Sequence, residues 1–293
     1  MSPKISVILP VHNRADVLAR AVRSVLDQDL RDFELIVVDD GSSDKSVTVA
    51  GSFADERIQI VQLPSNRGGN VARNAGIRAA HAPLLAFLDS DDRYLSNKLS
   101  CVVEQFDRRP ELDLLVDSFI KVQPPGSRKS EVVRRNPIIA DHELFRRALF
   151  TRQLWKATPA ISVKRDVALK AMFDETLRRL QDFDFLIRVS KFANCASIDK
   201  VLWVKYWDAN AISAQDNMIS ANVELVRRHP EYLRTPSFRA GFAYALRLSA
   251  WRRMRKGDLA GIVRDIRNLS DALGGAEAAR LACEALRPRR SLS

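Results

Sequence analysis

Short β-branched apolar runs alternate with segments of helical periodicity between residues 5 and 88, and this alternation limits the possible folds more than any other feature of the chain. Such alternation is typical of βαβ units, which build a mostly parallel sheet with helices on both faces. Strands that are covered on both faces are nearly all apolar, as these runs are. We therefore predict an α/β fold whose first strands are Ile5–Leu9, Phe33–Val38, Ile58–Leu63 and Leu84–Leu88.

The rest of the chain divides into a mixed segment and a helical one. Beyond Asp208 the strand pattern ends, and Ala, Leu and Arg recur at helical spacing to the C-terminus. We expect an α/β domain over residues 1–208 and a basic, helical extension over 209–293. Within the domain the patterns predict helices at Ala15–Leu26, Ser43–Phe53, Asn70–Ala80, Asn97–Arg108 and Phe183–Phe192, strands at Leu114–Val122, Ala160–Val163 and Val201–Tyr206, and a loop at Gln123–Ser130.

The formal net charge of +11 predicts attraction to polyanions, which include nucleic acids, anionic membranes and phosphorylated substrates. Basic clusters are concentrated late in the chain, at Arg227–Arg228, Arg252–Lys256 and Arg287–Arg290. The segment from Trp251 to Lys256 could bind an anionic membrane electrostatically, and a solvated helix face or a contact with a partner subunit is the alternative.

No segment approaches the roughly 18 consecutive apolar residues that a membrane-spanning helix needs. We expect a cytoplasmic protein, with peripheral contact at the inner membrane face as an option. Cys101, Cys195 and Cys283 are too widely separated to resemble a disulfide framework or a zinc site, and we expect buried thiols.

Acidic residues follow two of the predicted strands directly. Asp39 and Asp40 come after the second strand, and Asp89, Ser90 and Asp91 come after the fourth. Ligands of open parallel sheets bind at the edge where the strands end, so these residues are the first candidates for a functional site. The alternative is that such residues only shape a turn or cap the next helix, which we favour for Asp40.

Crowded carboxylates repel one another and raise one another's pKa unless a cation or hydrogen-bond donors share the site. Mg²⁺ and Mn²⁺ prefer oxygen ligands and commonly bind through one or two carboxylates together with phosphate oxygens and water. The spacing of Asp89 and Asp91 fits that requirement and predicts a metal-bound diphosphate. The glycine-containing loop Asn66–Asn70 is consistent either with phosphate binding or with a simple β-to-α turn.

Four segments resemble, in their order along the chain, the motifs of the family 2 inverting glycosyltransferases, which have the GT-A fold: Ser6–Asn13, Val37–Asp44, Ala72–Ile77 and Phe87–Asp92. The resemblance implies a nucleotide-sugar half at about 1–96 and an acceptor half at about 97–208. It also implies a site at the positions that match the family's motifs, namely Pro10, His12, Asp39, Arg73, Asp89, Ser90 and Asp91.

The roles of these residues are those that the resemblance implies. Pro10 and His12 would line the nucleotide pocket, and Arg73 would approach the nucleotide. Asp39 resembles the carboxylate that binds the base, which makes a UDP-sugar the expected donor. Asp89 resembles the residue that contacts ribose or metal-bound water. Asp91 resembles the ligand of a divalent cation, Mn²⁺ or Mg²⁺.

A second region, Gln181–Asp184, resembles the acceptor side of the family, where the usual pair is Glu-Asp. Asp182 matches the catalytic base, which would take the proton of an acceptor hydroxyl. Gln181 stands where the family has Glu. Asp184 is the competing base, and Asp182 could instead only cap the helix that follows it.

Neither the Gln-x-x-Arg-Trp motif nor the transmembrane helices of the family's processive synthases are found, which favours transfer of a single sugar to a saccharide or lipid-linked acceptor in polysaccharide or glycolipid assembly. Two other functions compete with this one. A nucleotidyltransferase would have a glycine-rich loop after the first strand, where Pro10–Asn13 stands. A nucleic-acid-binding protein would interleave aromatic and basic residues, which the basic clusters do not. We expect no nucleic acid partner.

Overall fold

A computed structural model of the chain describes residues 2–151, 153–207 and 218–286. The chain divides into two compact units. The first consists of Met1–Leu149, Gln153–Leu177 and Gln181–Ala209, and the second of Phe150–Arg152, Arg178–Leu180 and Asn210–Ser293. The predicted boundary at residue 208 and the basic cluster Arg287–Arg290 lie outside the described residues.

The first unit is built on one sheet, which has nine strands in the described part of the chain. The strands are β1 (Ile5–Val11), β2 (Phe33–Asp39), β3 (Ile58–Gln62), β4 (Leu84–Phe87), β5 (Arg93–Tyr94), β6 (Leu114–Val122), β7 (Glu131–Arg134), β8 (Ile161–Lys164) and β9 (Cys195–Lys205). Their order across the sheet is β3-β2-β1-β4-β8-β6-β9-β5, with β7 paired to β6 outside this order.

Parallel pairing joins the strands that the sequence predicted first. The strands β3, β2, β1 and β4 are parallel neighbours, and the carboxyl ends of β1 and β2 are in register, with Val11 opposite Asp39. The pairings of β8 with β4 and with β6 are antiparallel, and β9 is parallel to β6. The chain therefore has an α/β fold with a mixed sheet whose parallel half carries the first acidic motifs.

The helices that accompany the sheet are α1 (Leu18–Leu26), α2 (Ser46–Gly51), α3 (Gly69–Ala79), α4 (Lys98–Arg108), α5 (His142–Phe150), α6 (Arg165–Ala171) and α7 (Gln181–Val189), with a short 3-10 helix at Thr158–Ala160. The helix α3 packs closely on β1 because it presents Gly76 there. A side chain at Gly76 would collide with Ile8 of β1. This close packing brings the N-terminal half of α3 beside the ends of β1 and β4.

Burial follows the position of each strand in the sheet. The strands β1 and β4 are buried throughout, as expected for strands covered on both faces. The strand β3 was predicted to be covered in the same way, and this was wrong. It lies at the edge of the sheet, and all its residues are partly or fully exposed.

Two short strands were not predicted from the sequence. The loop Gln123–Ser130 was predicted, and it joins β6 to β7 as a hairpin in which Gln123 N donates to Ser130 O. The pattern of β7 alternates exposed and half-buried residues, so it has no apolar run that would predict a strand. The two residues of β5 pair with the end of β9.

The described part of the second unit beyond residue 217 is helical, with α8 (Met218–Arg228), α9 (Glu231–Arg234), α10 (Pro236–Arg255), α11 (Leu259–Leu273) and α12 (Gly275–Leu286). Asp258 caps α11 by accepting a hydrogen bond from Gly261 N at 2.8 Å. Arg253, at the end of α10, forms an ion pair with the buried Asp265 of α11 at 2.6 Å. Cys283 is exposed, so the prediction of a buried thiol was wrong there, while Cys101 and Cys195 are buried.

Candidate functional site

The acidic pair after β2 has two different environments. Asp39 is buried and accepts a hydrogen bond from Ser42 N at 3.1 Å. The carboxylate of Asp40 accepts from Arg67 N at 2.8 Å and from Gly68 N at 2.7 Å. Because these two amides donate to Asp40, they are not available to a phosphate. The hydrogen bonds therefore favour the interpretation of Asn66–Asn70 as a β-to-α turn and give Asp40 a structural role.

Pro10 and His12 lie beside this turn at the end of β1. Pro10 is buried and opposite Val38 in the sheet register. The half-buried ring of His12 has its Nδ1 2.9 Å from the carbonyl oxygen of Asp40. A carbonyl oxygen only accepts hydrogen bonds, so Nδ1 is the donor, and Nε2 lies 3.3 Å from Asn13 Nδ2. This arrangement fixes the orientation of the imidazole ring.

Arg73 binds Asp89 directly. The guanidinium group of Arg73 on α3 is buried and donates to Asp89 Oδ1 at 2.8 Å, just beyond β4. A second nitrogen of Arg73 lies 3.3 Å from Asn70 Oδ1. The buried cation holds the carboxylate of Asp89 in place, so Arg73 can act on a ligand through Asp89.

Asp91 and Asp92 continue the cluster that Asp89 begins. Burial raises the pKa of Asp91, and the charge of Asp89 raises it further, while Lys205 lowers it. Burial also raises the pKa of Asp92, which is completely inaccessible and accepts a hydrogen bond from Tyr206 N at 2.9 Å. Ser90 is buried in the turn between Asp89 and Asp91. Three carboxylates thus crowd the end of β4.

Lys205 is the residue of this site that the sequence did not indicate. It is the last residue of β9, and its Nζ lies 3.6 Å from Asp92 Oδ2. Burial lowers the pKa of Lys205, but the carboxylates of Asp92, Asp89 and Asp91 outweigh this and raise it overall. The sequence shows only a single lysine at the end of an apolar strand. Its place beside the acidic cluster depends on the pairing of β9 with β5, which the sequence does not reveal.

The start of α7 brings the acceptor-side motif to the same place. Asp182 is half-buried and accepts a hydrogen bond from Phe183 N at 2.8 Å. Burial raises the pKa of Asp182, while Lys156 and Arg73 lower it and Asp89 raises it. Asp182 therefore lies within electrostatic range of both members of the Arg73–Asp89 ion pair.

Asp184 is engaged elsewhere. It is buried and forms an ion pair with Arg188 at 2.8 Å. Arg188 also donates to the carbonyl oxygen of Met172 at 2.7 Å, and to that of Ala171, the last residue of α6. This network closes the C-terminal end of α6, so the geometry gives Asp184 a structural role.

Two asparagines of α3 hold the segment that precedes α7, and neither was predicted. Asn74 Nδ2 donates to the carbonyl oxygen of Phe173 at 2.9 Å, and Phe173 N donates to Asn74 Oδ1 at 2.8 Å. Asn70 Nδ2 donates to the carbonyl oxygens of Asp174 and Leu177 at 2.7 and 2.8 Å. The helix that carries Arg73 therefore also positions the acceptor-side segment.

An aromatic cluster reinforces this connection. The ring of Phe87, the last residue of β4, packs edge-on against Phe173 with centroids 5.3 Å apart. Phe173 in turn stacks on Phe185 of α7 at 4.4 Å. Rigid packing of this kind limits the movement of Asp182 relative to the carboxylates after β4.

The donor atoms of the site fit a divalent cation that is shared with a phosphate ligand. Within the described residues, no group of three or more His, Cys, Asp or Glu side chains is arranged to hold a metal ion. The half-buried Asp91 lies within electrostatic range of Asp89, since burial and the charge of Asp89 raise its pKa, and carboxylate oxygens suit Mg²⁺ and Mn²⁺. One or two carboxylates suffice when phosphates and water complete the coordination.

The same described segments contain no helix that is long and apolar enough to cross a membrane.

Residues 6–162, just over half of the chain, match the model of glycosyl transferase family 2. The amylovoran biosynthesis glycosyltransferase AmsB of Erwinia amylovora is 29% identical over 193 residues, which cover 64% of each chain. The chain spans only 30–41% of the length of three other curated relatives. Asp182 and Lys205 lie beyond the region that matches the family model.

Two solved structures have a similar fold. Staphylococcus aureus TarS residues 1–349 in complex with UDP-GlcNAc superposes with a TM-score of 0.73 at 20% identity, covering 95% of this chain and 83% of that one. The mannosyltransferase PcManGT from Pyrobaculum calidifontis, in complex with GDP-Man and Mn²⁺, has a TM-score of 0.60 at 16% identity, covering 97% and 79%. At these identities the similarity is one of fold.

Proposed function

Since the chain belongs to glycosyl transferase family 2 and has the GT-A fold, we propose that it transfers a single sugar from a nucleoside diphosphate sugar to an acceptor hydroxyl with inversion. One observation carries the proposal. Asn74, on the helix that carries Arg73, exchanges hydrogen bonds with Phe173, and the ring of Phe173 packs against Phe87 of β4 and Phe185 of α7. The charge of Asp89 also raises the pKa of Asp182, although the two residues come from opposite halves of the first unit. Donor-side and acceptor-side groups therefore meet at one place.

The donor binds, in this proposal, along the ends of β1, β2 and β4. Asp39 contacts the base, while Pro10 and His12 line the pocket beside it. Arg73 positions Asp89 for the ribose or for metal-bound water. A UDP-sugar is the favoured donor because TarS, which has the same fold, was solved with UDP-GlcNAc, and PcManGT with GDP-Man is the reason to test GDP-sugars as well.

Asp91 is the proposed ligand of a divalent cation, with Asp89 beside it. A Mn²⁺ or Mg²⁺ ion bound there would neutralise charge on the diphosphate leaving group. The presence of Mn²⁺ with PcManGT supports this assignment by analogy of fold.

Asp182 is the proposed catalytic base. As the acceptor oxygen forms its bond to the anomeric carbon, its proton passes to Asp182. The bond between the anomeric carbon and the diphosphate oxygen breaks on the opposite face, and the nucleoside diphosphate leaves with the electron pair. The configuration of the anomeric carbon is thereby inverted. Because Asp184 is bound to Arg188, Asp182 is the better placed of the two carboxylates.

We also propose a division of labour along the chain. We assign the donor to the half at about residues 1–96, the acceptor to the half at about 97–208, and a separate role to the extension at 209–293. A saccharide or lipid-linked acceptor in polysaccharide or glycolipid assembly fits the name of AmsB, a biosynthetic glycosyltransferase of amylovoran.

We propose that the extension contacts an anionic membrane at the cytoplasmic face through α11. The segment Trp251–Lys256 that the sequence indicated is less suited to this contact, because its Arg253 is buried in an ion pair with Asp265. Leu259, Val263 and Ile266 recur on one side of α11 and are 67%, 48% and 54% exposed. Exposed arginines at 264 and 267 lie beside this apolar stripe. At a lipid surface with negative headgroups, the apolar residues would be buried and the flanking cations would be attracted to the headgroups.

A donor screen tests the proposed reaction. The protein is incubated with UDP- and GDP-sugars and Mn²⁺, with saccharide and lipid-linked acceptors, and release of the nucleoside diphosphate is measured. We expect release with one donor class, slowed by about 10²- to 10⁴-fold in Asp182→Asn, and NMR of the product should show the inverted anomer. A product that retains the donor's configuration, or no release with any donor, would contradict the proposal.

A further inference from the structure

The acidic cluster contains its own cation. The Nζ of Lys205 lies 3.6 Å from Asp92 Oδ2. Burial lowers the pKa of Lys205, whereas the charges of Asp92, Asp89, Asp91 and Asp182 each raise it. Its side chain is 27% exposed, whereas that of Asp92 is completely buried. Of the two partners, Lys205 is therefore the one that a ligand from solvent can contact.

Lys205 forms an ion pair with Asp92 but no hydrogen bond. The distance of 3.6 Å is within the range of an ion pair but is too long for a hydrogen bond. Among the described residues, the buried Oδ2 of Asp92 has no hydrogen-bond partner. The ammonium group thus keeps its donors available to a ligand that enters from the exposed side.

We propose that Lys205 is a fixed counter-ion of the strand-end carboxylates that binds the donor's diphosphate and makes the divalent cation enter together with the nucleotide rather than before it. This inference rests on the proposed function. The ammonium group repels a metal ion that binds Asp91 alone, and it attracts the phosphate oxygens that complete the metal's coordination.

Lys205 has two opposite effects in this proposal. Its charge weakens the binding of a bare metal ion and strengthens the binding of a nucleotide, so the two effects can be measured separately. Removal of the charge of Lys205 leaves the carboxylates more negative, so a bare metal ion binds more tightly. The same removal takes away a cation from the diphosphate, so a nucleotide binds more weakly when no metal is present. A residue with only a structural role would not produce both effects.

The test uses the full chain and three variants. Lys205→Met removes the charge, Lys205→Arg keeps it, and Lys200→Met is the control, because Lys200 lies on the same strand and its side chain is 50% exposed. Calorimetry measures the binding of Mn²⁺ alone, of UDP and GDP with EDTA, and of the same nucleotides with Mn²⁺. Thermal melting confirms that each variant is folded.

We expect Lys205→Met to bind Mn²⁺ alone about tenfold more tightly than the wild type and to bind the nucleotide in EDTA about tenfold more weakly. Lys205→Arg and Lys200→Met should resemble the wild type. If either expected change in Lys205→Met is missing, the inference is overturned. If the wild type binds neither nucleotide even with Mn²⁺, the proposed function fails and the inference with it.

The wild type alone provides a second test should Lys205→Met not fold. Its affinity for Mn²⁺ should rise at least about tenfold when the nucleotide is present, because the phosphates offset the charge of Lys205. Equal affinity for Mn²⁺ with and without bound nucleotide would overturn the inference, and it would also contradict the proposed metal-bound diphosphate, because Mn²⁺ could then not tighten nucleotide binding.

Discussion

Asn74 of α3 and Phe173 exchange two hydrogen bonds through the Asn side chain and the Phe backbone, at 2.9 and 2.8 Å, across 99 residues of chain. This pair fastens the acceptor-side segment to the helix that carries Arg73. The relative position of Asp89 and Asp182 depends on that attachment.

Asn74→Ala should lower both stability and transfer. The substitution leaves the buried backbone N–H and C=O of Phe173 without partners, which costs about 2 kcal/mol or more in the free energy of unfolding. Chemical denaturation measures the loss, and Asn97→Ala is the control because Asn97 is exposed and its side chain does not cap α4. Equal stability of the two variants would show that the hydrogen bonds do not hold the segment.

Asp182→Asn and Asp184→Asn should have different effects. The first removes the proposed base and should lower kcat by about 10²- to 10⁴-fold while sparing nucleotide binding and the melting temperature. The second breaks the ion pair with Arg188 and should lower the melting temperature. Kinetics and thermal melting on both variants check this. A normal kcat in Asp182→Asn would assign the base elsewhere.

The acidic limb of the pH profile should respond to Lys156. The base must be ionised to accept a proton, and burial raises the pKa of Asp182, so activity should fall with decreasing pH above the range of an ordinary aspartate. Lys156 lowers that pKa, so Lys156→Met should move the limb of kcat/KM to still higher pH. The control is Lys170→Met. Lys156 lies over the ring of Phe183 and Lys170 over that of Phe192, but Lys170 is not among the groups that shift the pKa of Asp182. A limb that stays in place in Lys156→Met would argue against Asp182 as the base.

Charge reversal on α11 should weaken membrane binding. Each basic residue near an anionic surface contributes about 1 kcal/mol, so the double variant Arg264→Glu, Arg267→Glu should lose at least about tenfold in affinity for vesicles that contain phosphatidylglycerol. Co-sedimentation at low salt measures this, with neutral phosphatidylcholine vesicles in parallel. Arg31→Glu, Arg78→Glu changes the net charge equally at exposed positions of the first unit and should bind as the wild type does. Failure of the wild type to bind anionic vesicles would contradict the proposed membrane contact.

The sequence predicted the elements that depend on local patterns. The strands β1, β2 and β4 have apolar runs, broken only by Ser6 in β1 and Glu34 in β2, and they lie where those runs are. The strands β5 and β7 are short and lack such runs, because pairing with β9 and β6 forms them rather than their own composition. Strands formed in this way cannot be predicted from periodicity.

The candidate site also contains some residues that the sequence indicates and others that it does not. The aspartates after β2 and β4 follow recognisable strands and could be named from the chain alone. Lys205 and Asn74 could not, because each gains its role from a contact with a distant segment. Asp40 is an intermediate case. Its motif and the loop Asn66–Asn70 were both visible in the sequence, but the hydrogen bonds that join them, at Arg67 and Gly68, were not.

The central claim is that Asp91 binds a metal ion that holds a nucleoside diphosphate, and calorimetry on Asp91→Asn tests it most directly. UDP and GDP are titrated with Mn²⁺ and with EDTA into the wild type, Asp91→Asn and the exposed control Asp107→Asn. We predict that Mn²⁺ tightens nucleotide binding in the wild type and in Asp107→Asn, and that Asp91→Asn loses this gain. Nucleotide binding that Mn²⁺ strengthens equally in all three proteins would contradict the account.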